Sequence, residues 1–107
     1  MKKNISDWDA LVSRLEKQFN SELSLKGILY LIGIQEVNQG IKSFDKEEKV
    51  NILHVAICKL LIPYGYFSFE KIDSDGWPHY RELKPLKRLS DSEQKSLIKK
   101  AILNFFN

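Results

Sequence analysis

One stretch sets the terms for the whole chain. Between Val50 and Ile62 the sequence is apolar on almost every side, with Asn51 and Lys59 plainly polar and His54 and Cys58 set into the run. A helix that is apolar nearly all round belongs inside a protein, so the other elements must be arranged to cover it. Its limits can be read directly. Asp45-Lys-Glu-Glu48 has the form of a capping box, and Pro63 removes a helical N–H and disfavours helical geometry at Ile62.

The flanking segments supply the cover. Ser6 is placed to cap a helix running to about Asn20, with Trp8, Leu11, Val12, Leu15 and Phe19 on one stripe. A second helix follows from Ser21 or Ser24 to about Gln39. Leu25, Ile28, Leu29, Ile32 and Glu36 share its inner face, and Gly40 is placed as the left-handed residue past its end. Gly27 and Gly33 each cost about 1 kcal/mol relative to alanine in a helix, which is tolerable where a neighbouring helix comes close. Ser90-Asp-Ser-Glu93 is another capping box and opens a last helix to about Phe106, with Leu97, Ile98, Ala101, Ile102 and Phe105 inward.

The segment before that helix changes character. Residues 66–72 are rich in strand-favouring aromatics, Asp73-Ser-Asp-Gly76 is a turn signal, and residues 77–83 read as the returning strand. Pro78 then has to stand at an edge or a strand start. A short helix at 66–72 followed by a loop is the rival reading of 66–83. Residues 84–89 read as extended. The expected fold is mostly α (α+β): four helices in a single domain, 1–107, with a β-hairpin inserted before the C-terminal helix.

Composition narrows the class. The chain has 107 residues, 43% hydrophobic and 29% charged, ordinary values for a globular domain long enough to bury a core. Its single cysteine rules out an internal disulfide and fits a reducing compartment. No apolar run follows the early lysines, and no segment reaches the roughly 20 residues a membrane span needs. The expectation is a cytoplasmic protein with no membrane partner. Of the net charge of +3, residues 1–80 carry ten Lys and Arg against eleven Asp and Glu, and residues 81–107 carry seven against three. The basicity therefore belongs to the last quarter.

Three groups of residues bear on function. His54 shares a helical row with Val50, Cys58 and Leu61, which turns its ring inward and requires a hydrogen-bond partner. Glu36 is the natural partner if the second and third helices pack antiparallel, as a short connection suggests. The pair reads as a structural network or as one wall of a site. His54 and Cys58, one turn apart, would face a single ion, with Glu36 and His79 completing a tetrahedral set. No close-spaced Cys/His pairs support that reading, and no metal or cofactor is expected. Around the turn, Asp75, Trp77, His79 and Tyr80 place large rings beside a titratable group, a composition typical of binding hot spots and equally of a lid over a core. Finally, Arg81, Lys84, Lys87 and Arg88 form a basic run. With Trp77 and Tyr80 nearby it has the interleaving of a single-strand binder, although a solvated face is the simpler reading.

Gly33-x-x-Glu36, His54-Val-Ala-x-Cys58 and Asp75-Gly-Trp-Pro-His-Tyr80 together resemble a family of short, uncharacterised bacterial proteins. The resemblance covers most of the chain and implies no activity. The expectation is a small binding or interaction module using the aromatic 73–80 loop, with a protein partner or a second copy of the chain. The alternatives are a small enzyme or metal-binding protein using Glu36, His54 and His79, and a weak nucleic-acid binder through the basic 81–100 face.

Overall fold

A computed structural model describes residues 7–37 and 43–106. Expectations that fall on Ser6 and Gly40 lie outside the described residues. Four helices and one antiparallel hairpin follow in the order α1 (Asp7–Phe19), α2 (Leu25–Glu36), α3 (Lys46–Leu60), β1 (Phe67–Ile72), β2 (Pro78–Glu82) and α4 (Asp91–Phe105). This is the mostly α arrangement with an inserted hairpin that the sequence implies.

The helix starts obey local chemistry. Ser24 accepts a hydrogen bond from the Gly27 N–H at 3.1 Å and opens α2. Both capping boxes form. In α3, Asp45 accepts from the Glu48 N–H at 2.8 Å and Glu48 accepts from the Asp45 N–H at 3.0 Å. Ser90 and Glu93 make the same exchange at the start of α4. The ends depart from expectation in α2, which stops at Glu36 rather than Gln39 because Val37 is already extended, with φ −94° and ψ 104°.

The contacts between α2 and α3 also differ from expectation. Gly33 lies on Ile52, and Glu36 forms an ion pair with Lys59 at 3.7 Å. The contacts advance along both helices in the same chain direction, so α2 and α3 do not pack antiparallel as expected. The physical reason is length. Residues 37–44 reach about 26 Å when extended, more than the roughly 18 Å of a twelve-residue helix.

The central role of 50–62 holds for its C-terminal part and less for its start. Ile52, Ala56, Cys58 and Leu61 are fully buried, but Val50 is 59% exposed. Two apolar clusters flank the helix. The larger joins Leu11 and Leu15 of α1, Ile28, Leu29 and Ile32 of α2, Ala56, Cys58, Leu60 and Leu61, Phe67, and Ile98, Ala101 and Ile102 of α4. The smaller gathers Val37, Phe44, Ile52 and Val55, with Trp77 and Tyr80 packed against it.

The hairpin pairs Phe67 with Glu82, Phe69 with Tyr80 and Ile72 with Pro78, and the register shifts between Phe69 and Lys71. Pro78 begins β2, where a missing N–H is harmless. After the hairpin, Leu86–Arg88 forms a 3-10 turn where an extended segment was expected. Gln94 explains the difference. Its side-chain amide donates to the carbonyls of Leu86 at 3.0 Å and Leu89 at 3.1 Å, winding the segment onto α4.

Candidate functional site

The residues with chemical potential converge on a cleft between α3 and the hairpin turn. It holds about 430 Å³ and is lined by Glu48, Asn51, His54 and Val55 on one side and Asp73, Trp77, Pro78 and His79 on the other. The α3 side needs no special geometry, because Glu48, Asn51 and Val55 fall at helical spacing of three and four residues and His54 lies beside them.

The turn side is built by Asp73. One carboxylate oxygen, Oδ1, accepts from the backbone N–H of Asp75 at 2.9 Å and of Trp77 at 3.0 Å. The other, Oδ2, lies 2.8 Å from Nε2 of His79. The Asp73 N–H donates to the Trp77 carbonyl, the Gly76 N–H donates back to Asp73, and Gly76 takes φ +89° at no steric cost. The bond from His79 and the backbone bond from Trp77 hold the Asp73 carboxyl below its ordinary value. An ionised carboxylate only accepts, so Nε2 of His79 carries the proton, and in the neutral ring Nδ1 is an acceptor.

His54 differs from its expected role. It is exposed, not turned into the core, and Glu36 is not its partner. Its ring stands edge-on to Phe67, with centroids 6.2 Å apart, and its Nε2 is 3.4 Å from the Cys58 sulfur. Burial, with a smaller push from the Glu82 charge, raises the Cys58 thiol to about 12. The thiol therefore keeps its proton, and the His54 tautomer sets which of the two groups donates. A neutral His54 ring accepts through one nitrogen and donates through the other. The cleft thus carries two imidazoles, and the neutral His79 ring offers Nδ1 as an acceptor.

The structure splits the remaining sequence candidates. Trp77 is half-buried, with its ring edge-on to Phe44 at 6.4 Å, so it is both a lid over the smaller cluster and a wall of the cleft. Tyr80 is half-buried and faces Phe69 across the hairpin at 5.9 Å. Burial, then the nearby Glu36 charge and the neighbouring Cys58 thiol, push its phenol up to about 12. Glu36, Cys58 and Tyr80 are not part of the cleft's lining. Asp75 is exposed on the turn. Among the described residues no group of three or more His, Cys, Asp and Glu is arranged to hold a metal ion, and the tetrahedral set of Glu36, His54, Cys58 and His79 is not assembled.

The basic run is exposed at Arg81, Lys84, Lys87 and Arg88. Lys84 sits 4.5 Å from the Tyr66 ring centre, a cation–π contact. Arg81 and Tyr80 are successive residues of β2 and point to opposite faces, so this basic side chain and this ring are not interleaved. Among the described residues, no helix is long and apolar enough to cross a membrane.

Sequence reasoning missed Glu48, Asn51 and Asp73 as cleft residues. For Asp73 the signal was present, since Asp-x-x-Gly is a turn in which the aspartate bonds its own backbone. For Glu48 and Asn51 no local signal exists, because the hairpin brings them their neighbours. Comparison of the chain with protein-family models, with curated proteins and with solved structures gave no match.

Proposed function

We propose that this protein is a small cytoplasmic binding module whose recognition surface is the cleft between α3 and the 73–80 turn. A protein partner fits best, because a peptide group presents one N–H and one carbonyl. Its N–H matches the acceptor on His79, and His54 offers further ring nitrogens on the other side of the cleft. The observation that carries this reading is the Asp73 network, which fixes the turn, orients His79 and leaves an open cleft facing His54. Preorganisation of this kind lowers the entropy lost on binding. The single buried, unpaired cysteine supports a reducing compartment.

The test is a screen of short peptides and amide-bearing fragments by backbone amide NMR. Ligands should shift Asn51, His54, Trp77 and His79 together, and His54→Ala or His79→Ala should weaken them. Ligands that map elsewhere, or that bind both variants as well as the parent chain, would sink the reading.

The enzyme reading loses Glu36, which pairs with Lys59. The nucleic-acid reading retains exposed charge at Arg81, Lys87 and Arg88, but Tyr80 points to the opposite face of β2 from Arg81 and Trp77 packs on the smaller cluster.

A further inference from the structure

A second surface, on the far side of α3 from the cleft, carries its own signature. The groove between the first turns of α2 and the N-terminal half of α3 holds about 530 Å³. Its floor is apolar, made by Gly27 and Tyr30 of α2 with Val50 and Leu53 of α3, and its rim is Lys26, Lys46 and Lys49. Val50 stands 59% exposed in the middle of it. None of the three lysines has an ion pair among the described residues. Of the acids at the start of α3, Glu47 is exposed and lines neither surface, and the other two are engaged elsewhere. Asp45 and Glu48 bond each other's backbone, and Glu48 lines the opposite cleft.

The pattern on α3 is regular. Lys46, Lys49, Val50 and Leu53 fall at i, i+3, i+4 and i+7, one continuous face of a helix that the sequence marks as interior. Gly27 deepens the groove. A Cβ there would find only Leu23 at 3.5 Å and Ser24 at 3.6 Å, so no tight packing within the chain demands the glycine.

We propose that this groove docks an acidic amphipathic helix of a partner protein. Its apolar residues would lie on Val50, Leu53, Tyr30 and Gly27, and its carboxylates would reach the three lysines. The charge selects an acidic partner, and the apolar floor selects an amphipathic one. The concave shape favours a helical ridge over the flat surface of a bilayer. This surface is separate from the His54–His79 cleft, and the proposal stands whether or not that cleft binds anything.

The experiment is fluorescence anisotropy with the full chain and labelled 18-residue helical peptides. One carries leucines at i, i+3, i+4 and i+7 with glutamate elsewhere. A second has the same composition with the leucines scattered, and a third has lysine for glutamate. The first should bind at least tenfold more tightly than either control, and more weakly as salt is raised. The combined Lys26→Glu, Lys46→Glu and Lys49→Glu variant should lose that binding at least tenfold, and Val50→Glu should do the same. His79→Ala should bind as the parent does. Circular dichroism confirms that the variants are folded, and Lys→Gln replacements at the three sites should give an intermediate loss. Equal binding of the scattered peptide would overturn the proposal, as would uptake by phosphatidylserine vesicles with no uptake of peptide. Self-association that is abolished by Val50→Glu in the absence of peptide would also overturn it, by making a second copy the occupant.

Discussion

At the scale of single residues, the two helical glycines of α2 make opposite predictions from the same chemistry. A Cβ on Gly33 would stand 2.3 Å from the Ile52 carbonyl oxygen and 2.6 Å from its Cγ2. The oxygen is helix backbone and cannot move aside, so Gly33→Ala should destabilise the fold by about 1–3 kcal/mol or more, as overpacking does. Gly27→Ala meets ordinary contacts only and should stabilise by about 0.5 kcal/mol through helix propensity. Urea unfolding of the pair checks both signs. Asp73 makes a prediction in pH. Its carboxyl is held below the ordinary 3.8, so the fold favours the charged form. That contribution is complete above the ordinary value and is lost as the pH falls through the lowered one. Exchange of the Trp77 amide should accelerate across this acid window. In Asp73→Ala it should be fast at every pH, and a protected amide in that variant would contradict the network.

His54 shows where a residue pattern stops being informative. Val50, His54, Cys58 and Leu61 share one helical row, yet Cys58 and Leu61 are fully buried while Val50 and His54 are exposed. A helical wheel adds positions along the axis as if cover were uniform. Here the larger cluster takes in Cys58 and Leu61 and leaves Val50 and His54 outside it. The Glu36–His54 pair failed for a related reason, since it required an antiparallel approach that the length of the 37–44 connection does not impose.

At the scale of elements, boundaries that depend on local chemistry were readable and those that depend on distant partners were not. The capping boxes of α3 and α4, the stop before Pro63 and the hairpin turn all follow from neighbours in sequence. The 3-10 turn at Leu86–Arg88 does not, because Gln94 supplies its bonds from the next helix. Gln94→Ala should therefore cost about 1–2 kcal/mol, the net worth of two such bonds. It should release the Leu89 N–H, which donates to the Leu86 carbonyl at 2.9 Å. Amide exchange at Leu89, with the protection of α4 otherwise retained, is the measurement. The candidate cleft obeys the same division. Its 73–79 side is a sequence-local object, and its pairing with α3 is tertiary.

At the scale of the molecule, the fold extends over 51 × 34 × 23 Å with two apolar clusters along α3. Val55 belongs to one cluster and its neighbour Ala56 to the other. Neither cluster can lose its share of α3 without disturbing the next residue's packing. The two tryptophans sit on different clusters, Trp8 on the larger and Trp77 on the smaller. Single-tryptophan variants, Trp8→Phe and Trp77→Phe, should report the same urea midpoint, as a two-state domain requires. Separate midpoints would mean that the hairpin end melts alone.

The sealed thiol also gives the molecule a built-in counter of open states. Cys58 is the only cysteine, is fully buried, and holds its proton to about pH 12. An alkylating reagent at neutral pH therefore finds nothing to attack until the core opens, and each opened molecule records the event as one permanent mass increment. Labelling should follow the unfolded fraction across a urea series, in a cell extract as readily as in buffer. Prompt labelling of the folded chain would show a breathing path to the sulfur that leaves the rest of the fold intact.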